Sequence, residues 1–222
     1  MALDVTTKDC TALSDSEVAE MADLCVTDAI PFELGVLSKQ VEEWVLVTLV
    51  REGNNLRGFS FSTLERIGGT PCILLGVGAI KRTSRRDAVL KALVGDNFRR
   101  ALMAFPDEDV LLGTRMNNPG ATEAFKQLTD IIPRSGHKAS GEERAWGRRL
   151  AKRFGVDAGA YDDQKFRVAG DGSPSLVLDH ESLKPDAIPV EVTGLFKGLK
   201  VAKGDCLVTF GWAMAEDLLK YG

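Results

Sequence analysis

The sequence predicts an α+β fold with mixed α/β layers, in which helices flank a mixed, mostly antiparallel sheet. Between residues 42 and 80, three runs rich in Val, Leu, Ile and Phe are separated by the turn signals Gly53-Asn54-Asn55 and Gly68-Gly69. This pattern is typical of an antiparallel meander. Beyond residue 80, segments with helical periodicity alternate with short apolar runs, so helices and strands are mixed in the second half.

The first helix is predicted over residues 15–29. Ser14 and Glu17 have the S-x-x-E spacing of a capping box, which satisfies free backbone N–H groups at a helix start. Apolar side chains recur at helical spacing after this box, and Pro31 marks the end. The predicted order therefore begins with a helix and continues with the three strands of the meander.

The second half of the chain is predicted as alternating helices and strands. A helix of about five turns carries Leu90, Leu93, Phe98 and Ala101 on one face and ends near Pro106. The later elements are a strand at 109–116, a helix after Asn118-Pro119, a strand at 130–133, a helix at 141–154, a loop-rich stretch at 156–190 and a strand at 205–214.

The composition limits the class of protein. Acidic and basic residues are mixed and the formal net charge is −4, which disfavours a nucleic-acid binder. The four cysteines form no C-x-x-C pair and the two histidines are far apart, so we expect reduced thiols and no metal site. The N-terminal residues lack the pattern of a secretory signal, and no apolar run approaches the roughly 18–20 residues that span a bilayer. We therefore expect a cytoplasmic location and no membrane partner.

Residues 82–93, RTSRRDAVLKAL, combine Arg82, Arg85 and Arg86 with the start of a predicted helix. The free N–H groups of a first helical turn and the positive end of the helix dipole attract anions. Guanidinium groups also suit phosphate oxygens. A phosphate site is one interpretation of this loop, and a set of solvated surface charges is the other. The local pattern alone does not decide between them.

The wider segment resembles the GCN5-related N-acetyltransferase (GNAT) superfamily. In that family an apolar strand end is followed by a loop of the form R/Q-x-x-G-x-G/A, an amphipathic helix, another strand and an N-x-x-A-x-x-x-Y helix. Ile80 matches the strand end, residues 85–90 overlay the loop, and Asn118, Ala121 and Phe125 match the later helix.

The resemblance implies a single GNAT-like domain over residues 1–222. Its core would be residues 14–134, and an extension at 135–222, matched only loosely, would complete the sheet and the acceptor side with an extra helix and strand. The family transfers an acyl group from acyl-CoA to an amine by direct attack. The resemblance therefore implies an N-acyltransferase that uses acetyl-CoA or a longer acyl-CoA and no metal. Its acceptor would be a small-molecule or peptide amine, and a homodimer contact through the extension is one option.

The resemblance also implies the site residues. The Ile80 backbone N–H would stabilise the oxyanion, and Glu65 is the nearest carboxylate for a general base, with an exposed charge at a strand end as the alternative. Cys72 fits a small apolar core residue better than a nucleophile. The implied cofactor-binding residues are Ile80, Lys81, Arg82, Arg85, Arg86, Asp87, Ala88, Val89, Asn118 and Phe125.

Two departures from the family pattern leave other functions open. Ala88 and Leu90 replace both glycines of the loop, and leucine adds bulk where the cofactor would lie. Phe125 replaces the tyrosine that usually protonates the departing thiolate. The alternatives are a GNAT-fold binding or regulatory protein that has lost coenzyme A catalysis, or an acyltransferase that uses a carrier-linked donor.

Overall fold

The computed structural model describes residues 2–222, in which ten strands form one sheet. The strands are β1 (Asp4–Asp9), β2 (Leu46–Glu52), β3 (Asn55–Ile67), β4 (Thr70–Ile80), β5 (Val110–Met116), β6 (Thr129–Ile132), β7 (Tyr161–Asp162), β8 (Arg167–Val168), β9 (Leu178–Asp179) and β10 (Cys206–Ala213). The α-helices are α1 (Asp15–Thr27), α2 (Leu34–Glu43), α3 (Arg86–Ala104), α4 (Gly141–Arg153), α5 (Val190–Leu195) and α6 (Ala215–Leu218).

The sheet runs in the order β1-β2-β3-β4-β5-β10-β8-β7. β2, β3 and β4 form the predicted meander, and along this order only the β4–β5 pair is parallel. β6 pairs with β10, and β9 lies parallel to β4. The predicted mixed, mostly antiparallel sheet with flanking helices is confirmed.

Most of the predicted elements are present. α1 starts directly after Ser14, the N-cap of the predicted capping box. α3 has 19 residues and ends before Pro106, and α4 covers the predicted helix at 141–154 up to Arg153. The predicted helix after Asn118 is instead a 3₁₀ segment, Pro119–Phe125. The sequence analysis missed β1, α2 and α5. β1 has the sequence DVTTKD, which contains a single aliphatic residue and therefore no apolar run.

The side chains of β4 alternate between the two faces of the sheet, as in any strand. Leu75 packs in the cluster that contains α3 residues such as Leu93, whereas Leu74 packs with α4 residues such as Leu150. Ala79, an even number of residues beyond Leu75, belongs instead to the cluster around α1. The alternation of β4 is therefore interrupted between Leu75 and Ala79.

A β-bulge in β4 causes this interruption. Ser62 pairs with Leu75 and Ser60 with Gly78, so two steps along β3 match three steps along β4. The extra residue exchanges the faces of the later side chains, and a bulge also bends its strand. Gly76 lies within the bulge, where an added Cβ would be 2.4 Å from the Trp44 ring.

The four cysteines are free thiols in buried positions, as the sequence predicts. Burial raises the pKa of the Cys72 thiol to about 11, so this thiol is protonated at neutral pH. Cys72 is therefore not an activated nucleophile. No helix among residues 2–222 is long and apolar enough to cross a bilayer.

We expect Gly76→Ala to lower the free energy of unfolding by about 1–3 kcal/mol, since overpacking has this effect in well-packed interiors. The Trp44 ring is held in place by a 3.0 Å hydrogen bond from its Nε1–H to Gln40 Oε1. Gly35→Ala in α2 is the control, because nothing outside its own helical turn lies within 4 Å of the added Cβ. The control should stabilise the protein by about 0.5–1 kcal/mol. Urea unfolding measures the free energy of unfolding of the two variants. Equal values for Gly76→Ala and Gly35→Ala would contradict the close packing of Gly76 against the Trp44 ring.

Candidate functional site

β4 and β5 part in the middle of the sheet. Their parallel pairing covers residues 72–75 of β4 and 111–114 of β5 and stops there, although β4 continues to Ile80. The bulge at Gly76 follows directly where the pairing stops, and it bends β4. A gap therefore opens between the C-terminal ends of two parallel strands, beside the loop that leads into α3.

Residues 177–182, here called the β9 segment, occupy this gap. Leu178 pairs in parallel with Gly78 of β4, and the Gly78 N–H donates to the Val177 carbonyl oxygen over 3.2 Å. Val177 and Leu178 are each only 1% exposed. Because N–H groups alternate between the two edges of a strand, the Ile80 N–H lies on the same edge as that of Gly78. The edge with the predicted oxyanion donor is thus the edge that β9 covers.

Two of the three loop arginines bind the β9 segment. Arg82 Nη2 lies 2.5 Å from Asp179 Oδ1 in an ion pair. Arg86 donates from Nε to the Glu181 carbonyl oxygen at 2.6 Å and from Nη2 to the Ser182 carbonyl oxygen at 3.0 Å. Burial raises the pKa of Asp179, and the positive charge of Arg82 opposes this shift. The charge that the sequence suggested for a phosphate is directed at oxygen atoms of the chain itself.

The neighbouring loop residues also have partners within the protein. Arg85 forms an ion pair with Glu52, which also pairs with Arg57. The Lys81 N–H donates to the Arg57 carbonyl oxygen at 2.9 Å and so extends the β3–β4 ladder. The side chain of Arg85 thereby points to the β2–β3 turn rather than into the gap.

The prediction that Leu90 places bulk in the cofactor groove is wrong. Leu90 is 2% exposed and packs in the core between α3 and the sheet. Val89 is likewise fully buried, and Ala88 is exposed on the outer side of the first helical turn. The gap is closed by the β9 segment and not by the residues that replace the loop glycines.

The 3₁₀ segment Pro119–Phe125 lies against the β9 segment. Asn118 caps it, because Oδ1 accepts a 3.3 Å hydrogen bond from the N–H three residues later. Gly120 is in such close approach that an added Cβ would lie 2.6 Å from both the His180 oxygen and the Ser182 nitrogen. Phe125 is buried and lines a neighbouring cavity. The segment that Asn118 caps thus contacts the β9 segment through Gly120, and Phe125 faces the cavity beside it.

Glu65 lies far from Ile80. It is the partner of Cys72 in the β3–β4 ladder, eight residues before Ile80, and this separation is roughly 25 Å along an extended strand. Its carboxylate oxygens accept hydrogen bonds from Arg153 at 2.5 and 2.7 Å. The structure does not bring the predicted base to the predicted oxyanion donor, and Glu65 fits the alternative of a charge at a strand end.

A mostly apolar cavity of about 660 Å³ lies beside the gap. It is enclosed by the 3₁₀ segment, α5 and β10, and its wall includes Phe125, Ile188 and Val192. Asp87 and Lys184 are among the charged residues that line it. Cavities of this size and character suit ligands with an apolar body. Sequence reasoning did not predict this cavity, because α5 lies in a region that it assigned partly to loop.

His180 is fully buried beside two carboxylates. Its Nε2 lies 3.2 Å from Asp87 Oδ1, and donor atoms of His180, Asp87 and Glu123 lie within 4.8 Å of one another. Within residues 2–222 these three form the group that could hold a metal ion. Glu123 already accepts from the Ser182 hydroxyl and pairs with Lys126 at 3.3 Å. Burial lowers the pKa of His180, so the imidazole is neutral near pH 7.

A second pocket, of about 390 Å³, lies on the opposite face of the sheet, against α4. Arg115 and Lys152 line it together with Trp44 and Phe154. Burial lowers the pKa of Arg115. Sequence reasoning passed over Arg115, because a charged residue near a strand end ordinarily points to solvent. The signal that could have found it is its place among the alternating residues of the central strand LLGTRM.

No family model matches the chain, and no curated protein is similar to it in sequence. Several solved structures are similar. Aminoglycoside 6'-N-acetyltransferase from Enterococcus faecium is 17% identical, with 57% of this chain and 67% of that chain covered and a TM-score of 0.40. A GNAT-family acetyltransferase from Bacillus cereus is 16% identical, with 60% and 88% covered and a TM-score of 0.41. The ribosomal-protein-S18-alanine N-acetyltransferase from Escherichia coli is 12% identical, with 63% and 86% covered and a TM-score of 0.42.

These solved structures are acetyltransferases of low identity to the chain, and the family that the sequence resembles is represented among them.

We expect Gly120→Ala to loosen the β9 segment, because the added Cβ meets backbone atoms of residues 180 and 182 that have no freedom to rotate away. Amide hydrogen exchange at Leu178 and Asp179 should become at least tenfold faster. Gly141→Ala is the control, since nothing lies within 4 Å of its added Cβ. Unchanged exchange in Gly120→Ala would show that the 3₁₀ segment does not hold the β9 segment in place.

We expect the free energy of unfolding to fall between about pH 6.5 and pH 5, in part through His180. Its folded-state pKa is lowered by burial, with Arg82 and Arg86 acting in the same direction and Asp87 and Glu123 opposing them. The unfolded chain therefore binds a proton below its pKa of about 6.5 that the folded chain excludes. Denaturant unfolding at pH 7 and pH 5 should show a smaller loss for His180→Gln than for the wild type. Equal losses would assign the pH dependence to other groups.

Proposed function

We propose that this chain is a ligand-binding or regulatory protein built on a GNAT-like fold, in which the β9 segment replaces the acyl donor. The observation that supports this proposal is the parallel pairing of β9 with β4, in the gap to which the resemblance assigns acyl-CoA. The surrounding residues do not fit that cofactor. The Gly78 N–H on the edge of β4 is hydrogen-bonded, and Arg82 and Arg86 are bound to the β9 segment.

Removal of the β9 segment from the gap would be unfavourable. Val177 and Leu178 are almost completely buried, and the exposure of two such side chains costs about 3–6 kcal/mol. The ion pair of Arg82 with Asp179 would also break. A ligand that must displace the segment would therefore bind about two to four orders of magnitude more weakly than to an open gap.

We further propose that residues 1–222 act as one domain. β9 and β10 belong to the extension predicted at 135–222, yet they pair with β4 and β5 of the predicted core. From the extension, β10 pairs with the edge of β5 that faces away from β4, and β9 pairs with the end of β4. These pairings support a single folding unit rather than a core with a separable appendage.

The second candidate is the acyl-CoA-dependent N-acyltransferase that the sequence predicts, with acetyl-CoA, a longer acyl-CoA or a carrier-linked acyl group as donor. The parting of β4 and β5 beside a basic helix start favours it. It requires the β9 segment to leave the gap. Aminoglycosides and peptides with N-terminal alanine are suitable trial amines, because the similar solved structures are named for these acceptors.

Isothermal titration of the full chain with acetyl-CoA and a long-chain acyl-CoA should detect no binding at millimolar concentration. The double variant Leu178→Ala, Asp179→Asn removes an apolar anchor and the Arg82 partner, and it should expose the gap without altering the loop. Leu183→Ala is the control, because Leu183 follows the segment and is 37% exposed. Micromolar binding by the wild type, or release of free thiol with either trial amine, would overturn the proposal in favour of the acyltransferase.

A further inference from the structure

The 390 Å³ pocket against α4 contains a guanidinium group without a carboxylate partner. Arg115 lies near the end of β5, in the centre of the sheet, and it is half-buried. Among residues 2–222, no hydrogen bond or ion pair is formed by its guanidinium group. Arg153, which lines the same pocket, differs, because Glu65 holds it by two hydrogen bonds. Arg115 is thus a cation of this pocket without an ion-pair partner.

A half-buried cation without a contacting counter-charge is unfavourable, because the protein replaces only part of its hydration. The guanidinium carbon lies 5.3 Å from the centre of the Phe154 ring, a cation–π contact that returns part of this loss. Glu43 also lines the pocket, but it forms no ion pair with Arg115 and accepts instead from Gln40 Nε2 at 2.9 Å. Glu43 therefore acts on Arg115 only at a distance through its charge, and no carboxylate of the described residues contacts the guanidinium group.

The rest of the pocket wall suits the remainder of a ligand. The rings of Trp44 and Phe154 lie 6.3 Å apart at an angle of 37°, and Leu74 and Leu176 complete an apolar wall. Lys152, at the end of α4, adds a second positive charge and has no ion-pair partner among residues 2–222. A guanidinium group and an ammonium group beside aromatic rings match a molecule with an anionic head and a planar body.

We propose that this pocket binds a small molecule that carries an oxyanion head, a carboxylate or a phosphate, on an aromatic or apolar body. The head lies against Arg115 and Lys152, and the body lies against the wall that the Trp44 and Phe154 rings form. None of the residues that line the pocket belongs to the loop at 82–93 or to the β9 segment. The proposal therefore does not require the gap between β4 and β5 to accept acyl-CoA, although Leu176 of the pocket wall directly precedes the β9 segment.

The test uses benzoate, phenyl phosphate and neutral benzamide as probes, titrated into the full chain and followed by calorimetry and by NMR shifts of the Trp44 indole. Benzoate or phenyl phosphate should bind at least tenfold more tightly than benzamide. The acid that binds more tightly identifies the head group as carboxylate or phosphate. If neither acid binds more tightly than benzamide, the proposal is overturned.

Variants of the two cations assign the binding. Arg115→Gln should weaken the binding of the preferred acid by about 10- to 100-fold, the range expected for loss of a charged hydrogen-bond donor. It should change the melting temperature little, because it removes a cation without an ion-pair partner and loses only the cation–π contact with Phe154. Lys152→Gln, at an exposed position, should weaken binding several-fold, and Arg149→Gln, an exposed arginine of the same helix, is the control. Wild-type affinity in both Arg115→Gln and Lys152→Gln would overturn the proposal even if the probes bind elsewhere.

Discussion

The centre of the sheet depends on how the backbone groups that face the gap between β4 and β5 find hydrogen-bond partners. Two parallel strands pair over four residues each and then part at a bulge, deep within the sheet. The parting would leave backbone N–H and C=O groups without partners, and each such buried group costs about 1–3 kcal/mol. The β9 segment supplies partners from a distant part of the same chain. Arg82, Arg86 and Gly120 all acquire their roles from the need to hold that segment.

The charges around the gap also reflect the need to hold the β9 segment in place. The loop before α3 concentrates positive charge, and the segment that lies against it has the sequence Asp179-His180-Glu181. Arg82 contacts both acidic residues, at 2.5 Å from Asp179 and 3.4 Å from Glu181. The segment therefore presents to the loop the kind of negative charge that an anionic ligand would present. On the other face of the sheet, Arg115 has no such partner, and this contrast separates a satisfied cation site from an available one.

The sequence was informative where structure is determined locally. α1 and α4 have capping boxes, α3 has a continuous apolar stripe, and β2 to β5 are apolar runs between turn residues. The β9 strand has two residues and no periodicity, and its position depends on pairing with a strand about a hundred residues earlier. The environment of Arg115 likewise depends on α4 and on Trp44, which are distant in sequence. Local patterns therefore predicted the main helices and strands, whereas long-range contacts determine which arginines have an ion-pair partner.

The late position of β9 and β10 in the chain has a consequence for synthesis. When residues 1–174 have emerged from the ribosome, β5 has β4 on one edge and nothing on the other, since β10 is still to come. β4 and β5 are apolar and almost fully buried in the finished sheet. Strand edges of this kind associate with other chains when they are unpaired. Until residues 177–213 are made, one edge of β5 and the end of β4 lack the partners that they have in the finished sheet. Pairing of β9 and β10 with these edges removes this risk of association.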